Sequence, residues 1–305
     1  MKKLNLSQKR KREIATGYLF IFPLFLGLGI FHFYAFFNNI WISFTNKKAL
    51  KDGIFVGLEN YIDVFTRDDC FNALKLSLYY MVGSVVQLAL ALLFATILSF
   101  NPKGGSFFRG ALYFPSLVCG IAVGFIFKYF YTHGFVLDSI LGLLGIPEDM
   151  LPFWLKDTRI NNWVLVASSI WRYMGQNMVL FIGAIASVDK TQYEAAAIDG
   201  ANAWHRFRYI ILPSIRTIVV LNMILAISGS LSVFEIPYVI TDGGFGTSTY
   251  FVLMDKLAHA NQKVGLASAM AVVLLVLILV VSGIQKLAEK KMNSGVRVGK
   301  RRARK

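Results

Sequence analysis

Runs of about 20 apolar residues, the length an α-helix needs to cross a lipid bilayer, recur along this chain and exclude most other fold classes. They fall approximately over 17–44, 72–100, 106–131, 162–187, 212–240 and 265–286. Inside a bilayer every backbone N–H and C=O must be satisfied without water, which a helix achieves within its own segment. The sequence is therefore read as an all-α, polytopic membrane protein with about six transmembrane helices. Composition agrees. Charged residues make up 16% of the 305 residues and hydrophobic ones 56%, with a mean hydropathy of +0.56, whereas a soluble domain carries about 25% charged residues.

Charge sets the orientation. The formal net charge of +15 collects at the two ends: Lys2, Lys3, Lys9, Arg10, Lys11 and Arg12 at the start, and Lys286 to Lys305 at the finish. Basic flanks beside apolar spans follow the positive-inside pattern and suit an anionic cytoplasmic leaflet, so they do not call for nucleic acid. With the N-terminus inside, the inner segments hold roughly 21 Lys and Arg and the outer ones roughly 8. The stretch from Tyr131 to Asn161, with Asp138, Glu148, Asp149 and Asp157, then lies outside. The expected organisation is a basic cytoplasmic N-terminus over 1–16, a transmembrane domain over 17–290, and a basic cytoplasmic tail over 291–305, irregular from Ser294 onward. The run from Gly17 to Ser43 exceeds the apolar core of a signal peptide and no small-residue cleavage site follows it, so it reads as a retained span. Aromatic residues of the outer loops, among them Phe55, Tyr61, Phe153 and Trp154, suit anchoring at the headgroup level.

A polar, helix-forming insert separates the fourth and fifth apolar runs on the cytoplasmic side. Asp189 or Thr191 can cap a helix that carries Glu194 in its first turns, where a negative charge suits the helix dipole. Ala195, Ala196 and Ala197 favour helix and present a small surface that a second protein can approach. Asp199, Gly200 and Ala201 follow, Gly200 supplying the backbone freedom to end the helix. Trp204, Phe207 and Tyr209 suggest a second short helix along the membrane surface, and Pro213 is placed to restart the chain at the foot of the fifth span.

Glu194-Ala195-Ala196, Asp199-Gly200-Ala201 and then Leu212-Pro213 resemble the EAA loop of bacterial ABC importer permeases. Phe55-Val56-Gly57-Leu58-Glu59-Asn60-Tyr61, Leu112-Tyr113-Phe114-Pro115, Ile170-Trp171-Arg172, Ile240-Thr241-Asp242-Gly243-Gly244 and Gly265-Leu266-Ala267-Ser268-Ala269-Met270 extend the likeness over nearly the whole chain, to carbohydrate-type permeases similar to the maltose system. The resemblance implies a non-catalytic subunit of a bacterial plasma-membrane importer, with both termini cytoplasmic. A second, different permease would complete the pore. Two copies of a cytoplasmic ATPase would use ATP and Mg, with no cofactor bound by this chain itself, and an extracellular solute-binding protein would deliver a sugar or oligosaccharide. The coupling residues implied are Glu194, Ala195, Ala196, Asp199, Gly200, Ala201 and Pro213. One departure stands out: Gly243-Gly244-Phe245-Gly246 occupies a turn that in the family usually reads Gly-Gly-Pro, and a freer loop is expected there.

Polar residues inside apolar spans are costly and mark function or pairing. Arg172 in span four and Glu235 in span five are open to either account: an ion pair with each other, or contact with solute, including an acidic glycan at the guanidinium. Matching Glu194 and the Thr241-Asp242-Gly243 turn to the family implies a solute pocket formed by Ser169, Arg172 and Tyr173 with Ala226, Gly229, Ser230 and Val233, and Glu235 nearby. Ser84 and Gln87 in span two either face the pore or bond to neighbouring helices. Two other functions compete. A membrane-embedded enzyme needs a metal cluster, a nucleotide loop or paired acids; Cys70 and Cys119 have no metal or redox spacing and no glycine-rich phosphate loop is present. An ion-coupled carrier predicts deep acidic residues and internal repeats, for which Glu235 alone is thin support. A permease for a non-sugar solute such as glycerol phosphate or a polyamine remains open.

Overall fold

The computed structural model describes residues 8–49, 51–100 and 102–302, with side chains described over 10–49, 51–100 and 102–290. Lys2 and Lys3 fall outside the described residues, and the side chains of Lys9 and of the basic tail 291–305 fall outside the described side chains. Among the described residues the chain is helical, and backbone pairing between extended segments amounts to three isolated bridges, Thr45–Phe55, Lys48–Lys51 and Lys48–Lys263. Contacts divide it into two units: the described residues up to Thr66 with Leu257–Val273, and Arg67–Lys256 with the chain from Leu274 onward.

In the first unit, α1 (Gln8–Leu28) runs through a π-helical turn, Gly29–Tyr34, into α2 (Ala35–Ser43). Pro23 lies inside α1. The chain then folds back as a loop held by α3 (Glu59–Thr66), whose Asn60 Nδ2 donates to the carbonyls of Ser43 and Thr45, each at 2.8 Å. Those carbonyls end α2 without an intrahelical partner, and the buried amide supplies one.

The second unit carries α4 (Asp68–Ser99), α5 (Gly105–Leu117), α6 (Gly120–Tyr131), α7 (Val136–Leu143), α8 (Asn161–Ala186), α9 (Lys190–Ile198), α10 (Ala203–Arg206), α11 (Leu212–Ser230), α12 (Glu235–Thr241) and α13 (Tyr250–Ala258), whose last residues belong to the first unit. Its core is a seam of Leu88, Ala91, Ala95 and Leu98 from α4, Met178, Phe181, Ala184 and Ile185 from α8, and Ile211 and Ile215 at the foot of α11. Small residues on α4 let α8 come close, as helix packing in lipid requires. A second cluster joins Tyr80, Val123, Leu165, Val166, Ile236 and Ile240. In the first turn of α7, buried Asp138 accepts from the Gly134 N–H at 2.7 Å and from the indole N–H of Trp154, in the loop to α8, at 2.6 Å. Trp154 thus ties down the loop from within, where headgroup anchoring was expected.

Helices long and apolar enough to cross a membrane run over Arg10–Ser43, Asp68–Ser99, Ala203–Thr241 and Val264–Lys290, and the α5–α6 pair adds a fifth if counted as one span. The expected span over 162–187 is α8. Its 26 residues are long enough, but Asn161, Asn162, Arg172, Gln176 and Asn177 dilute its apolarity. The expected single span over 106–131 is instead broken, α5 and α6 meeting at 100°. Pro115 withholds an N–H near the end of α5, and Val118 and Cys119 are extended. The run over 212–240 is also interrupted, by a non-helical break over 231–234. Pro213 does not restart the chain: the helix runs on from α10 through a π-helical turn, Phe207–Ile211, into α11, the Leu212 N–H donating to Phe207 O. The π-helical turn precedes a proline that lacks an N–H, and each is a recognised site of helix kinks. Finally, α14 (Val264–Arg302) stays helical where an irregular tail was expected from Ser294. In that stretch Arg297, Lys300, Arg301 and Arg302 favour helix, whereas Gly295 and Gly299 oppose it.

Candidate functional site

Where α4, α8 and α11 diverge, they enclose a cavity of ≈ 600 Å³, within the 300–1,000 Å³ range of small-molecule sites. Polar residues face it at helical spacing: Ser84 and Gln87 on α4, Ser169, Tyr173, Gln176 and Asn177 on α8, and Asn222 and Ser230 on α11. The break over 231–234 contributes Ser232, Val233 and Phe234, and the first residue of α12 contributes Glu235. Ser84, Ser169 and Ser230 donate to carbonyls of their own helices, those of Met81, Leu165 and Ile227. Donation inward leaves each hydroxyl's lone pairs to accept from a solute. Of the sequence-predicted pocket residues, Ser169, Tyr173, Ala226, Gly229, Ser230, Val233 and Glu235 line this one cavity.

Arg172 does not line it. Its guanidinium turns toward α12 and donates from Nη1 to Glu235 Oε2, with Cζ 4.8 Å from the ring centroid of Tyr173. The pair rests on the break between α5 and α6. A Cβ at Gly120, the first residue of α6, would overlap both Glu235 Oε2 and Arg172 Nη1, so the pair as placed needs glycine there or a shift of both side-chain ends. The ion-pair account of these two residues is the one the geometry adopts.

The polar insert forms its own structure. Asp189 Oδ1 accepts from the Thr191 N–H at 3.0 Å and caps α9. That bond holds the Asp189 carboxyl below its ordinary value of 3.8. Gly200 ends the helix at φ +72°, and the Ala201 N–H reaches back to Ala196 O at 2.8 Å. Asn202 then caps α10 through the His205 N–H. Tyr193, whose hydroxyl burial pushes above its usual range, sits edge-on to Phe100 at the end of α4, and Arg206 lies over the other side of that contact, 5.8 Å from the Phe100 ring. The loop is thereby held to the bundle. Glu194, Ala195, Asp199 and Gly200 remain exposed, as do Ile198, Trp204 and Tyr209. Ala196 and Ala201 are partly covered, and Pro213 is exposed at the start of α11.

Residues 87–294, which include the cavity-lining α8, α11 and α12 and the whole capped loop, match the sequence pattern of the binding-protein-dependent transport system inner membrane component family. The chain belongs to this family. Its relatives include the arabinooligosaccharides transport system permease protein AraP of Bacillus subtilis, 31% identical over 279 residues that make up 88% of this chain and 86% of AraP. The multiple sugar-binding transport system permease protein MsmF of Streptococcus mutans is 29% identical, over 88% and 93% of the two chains. Among solved structures, a bacterial ABC transporter involved in import of the acidic polysaccharide alginate superposes with a TM-score of 0.82 at 18% identity, covering 92% of this chain and 96% of that one. That likeness is one of fold.

For this permease, the pocket residues absent from the predicted set include Tyr80, Gly83, Gln176, Asn177, Asn222, Ser232 and Phe234. Several carried a readable signal. Ser169, Tyr173, Gln176, Asn177 and Leu180 follow one helical face, as do Asn222, Ala226, Gly229 and Ser230, so a polar stripe within an apolar helix marks the cavity side. The turn at 243–246 also departs from expectation. Phe245 adopts φ +53°, which the ring of a proline forbids. Its carbonyl accepts from Asn161 Nδ2 at 2.7 Å, and Gly246 O accepts from Asn162 Nδ2 at 3.2 Å. The loop is pinned to α8 rather than freed.

Proposed function

We propose that this chain is one of two pore-forming permease subunits of an ATP-driven importer that carries a sugar or oligosaccharide into the cytoplasm. The observation that carries this reading is the ≈ 600 Å³ cavity, lined by hydroxyl, amide and aromatic side chains between membrane-crossing helices. Sugars need just such groups: hydroxyls and amides to bond ring oxygens and hydroxyls, and an aromatic face against the ring. The sugar-transport names of AraP and MsmF support the class.

On this reading the chain itself catalyses nothing and holds no cofactor. Of two ATPase subunits, one docks on the exposed surface of the capped loop, with Glu194, Ala195, Ala196, Asp199, Gly200 and Ala201 at the contact and Pro213 at the base of the lever, and the other docks on the partner permease. ATP closure moves the loop, and the loop biases a helix bundle with inward-open and outward-open arrangements. An extracellular binding protein delivers the solute, and both termini face the cytoplasm of a bacterial cell. The test is ATP hydrolysis by the complex, reconstituted with its partner permease, ATPase and binding protein, across a panel of neutral and acidic oligosaccharides. Stimulation by one glycan class is expected. A flat response from an otherwise active complex would instead favour a non-sugar solute.

A further inference from the structure

Among the described residues, Glu235 is the one charged side chain that lines the cavity. Its ion pair with Arg172 is asymmetric. The Arg172 side chain is 12% exposed and that of Glu235 is 47% exposed, so the positive end is covered and the negative end faces the solute. The Tyr173 ring adds to the cover over the guanidinium. Gly120 leaves no side chain in the way, and the pair is seated against the helix break. We propose that Glu235, oriented by Arg172, determines specificity for solute charge, and that the cavity passes uncharged oligosaccharides and rejects carboxylated ones. The inference rests on the carbohydrate reading above. A neutral sugar's hydroxyls donate to the free lone pairs of the carboxylate and form charge-assisted hydrogen bonds. A uronate brings acceptor-only oxygens to the same place, where like charges repel more strongly than in water.

The test is equilibrium binding to the purified transporter complex in lipid nanodiscs, with the binding protein left out so that only the permease cavity discriminates. The probes are matched trisaccharides of the gluco, galacto and manno series, each as the neutral hexose trimer and as its C6-oxidised uronate. For the series bound best, the wild type is expected to hold the neutral trimer at least about tenfold tighter than the uronate. Glu235→Gln should shrink that ratio by about tenfold or invert it, since the guanidinium loses its anionic partner. Arg172→Gln should widen it, leaving a lone carboxylate on the wall. If Glu235→Gln fails to assemble, as judged by gel filtration, the wild-type ratio and Arg172→Gln decide. A wild type that prefers the uronate, or one ratio shared by all three proteins, overturns this inference alone. Failure of the wild type to bind any trimer overturns the carbohydrate reading, and this inference falls with it.

Discussion

Single side chains in this permease repay attention where a buried polar group has one defined set of partners. Asp138 is buried and accepts from both the Gly134 N–H and the Trp154 indole. Asp138→Ala leaves those donors without an acceptor, at a cost of about 1–3 kcal/mol. A lower unfolding temperature in detergent checks this, and an unchanged one would mean water replaces the carboxylate. Asp189 is a different case because it is exposed and acts as a cap. Its folded-state value lies below the ordinary 3.8, so its contribution is present above that pH and is lost as pH falls through the lowered value. Hydrogen exchange in α9, corrected for intrinsic rates, should therefore accelerate only in strong acid for the wild type and already at neutral pH for Asp189→Ala. The cap was legible from Asp189 standing ahead of a Glu-Ala-Ala helix. The partnership of Asp138 with Trp154 was not, since they are sixteen positions apart, one in α7 and the other in the loop after it.

Among the elements, the breaks matter more than the helices. α8 spans Asn161–Ala186 against an expected 162–187, because an amphipathic run between polar loops announces both its ends. The 100° turn between α5 and α6 did not announce itself: Pro115 alone allows a kink within a helix as readily as a break. At that turn Gly120 has a tertiary role. Gly120→Ala must displace the Arg172–Glu235 pair, an overpacking cost of about 1–3 kcal/mol, whereas Gly183→Ala on α8 meets nothing within 4 Å. Thermal unfolding of the two variants should differ, with Gly120→Ala the less stable; equal midpoints would show that the pair moves aside freely. The π-helical turn ahead of α11 is a similar surprise. Proline at 213 is compatible with a helix start, and only the continuous path from α10 shows that the helix had already begun.

At the scale of the whole molecule, the capped loop is a polar, exposed surface next to apolar helices. Under the proposed function this is where an ATPase docks. Glu194→Lys reverses the charge at an exposed position without touching the core, so the permease should still assemble with its partner in the membrane. Substrate-stimulated ATP hydrolysis by the assembled transporter should fall at least about tenfold, the scale of a lost charged contact at an interface. Wild-type hydrolysis by this variant would remove the loop from the coupling path. Membrane embedding was legible because its signal, about 20 consecutive apolar residues, acts locally.

The sequence by itself determined that the chain is helical and membrane-embedded, and which loop is capped and exposed. Each of these depends on composition within a window of a few turns. It also placed Ser169, Tyr173, Ala226, Gly229, Ser230, Val233 and Glu235 in a shared pocket, through family likeness and helical spacing. Only the tertiary structure decided whether Arg172 faces a solute or a carboxylate. Its guanidinium can reach either, and the choice depends on where α12 starts after the break over 231–234 and on the absence of a side chain at Gly120. Pairing across 63 positions is set by packing of distant elements, which no local pattern encodes.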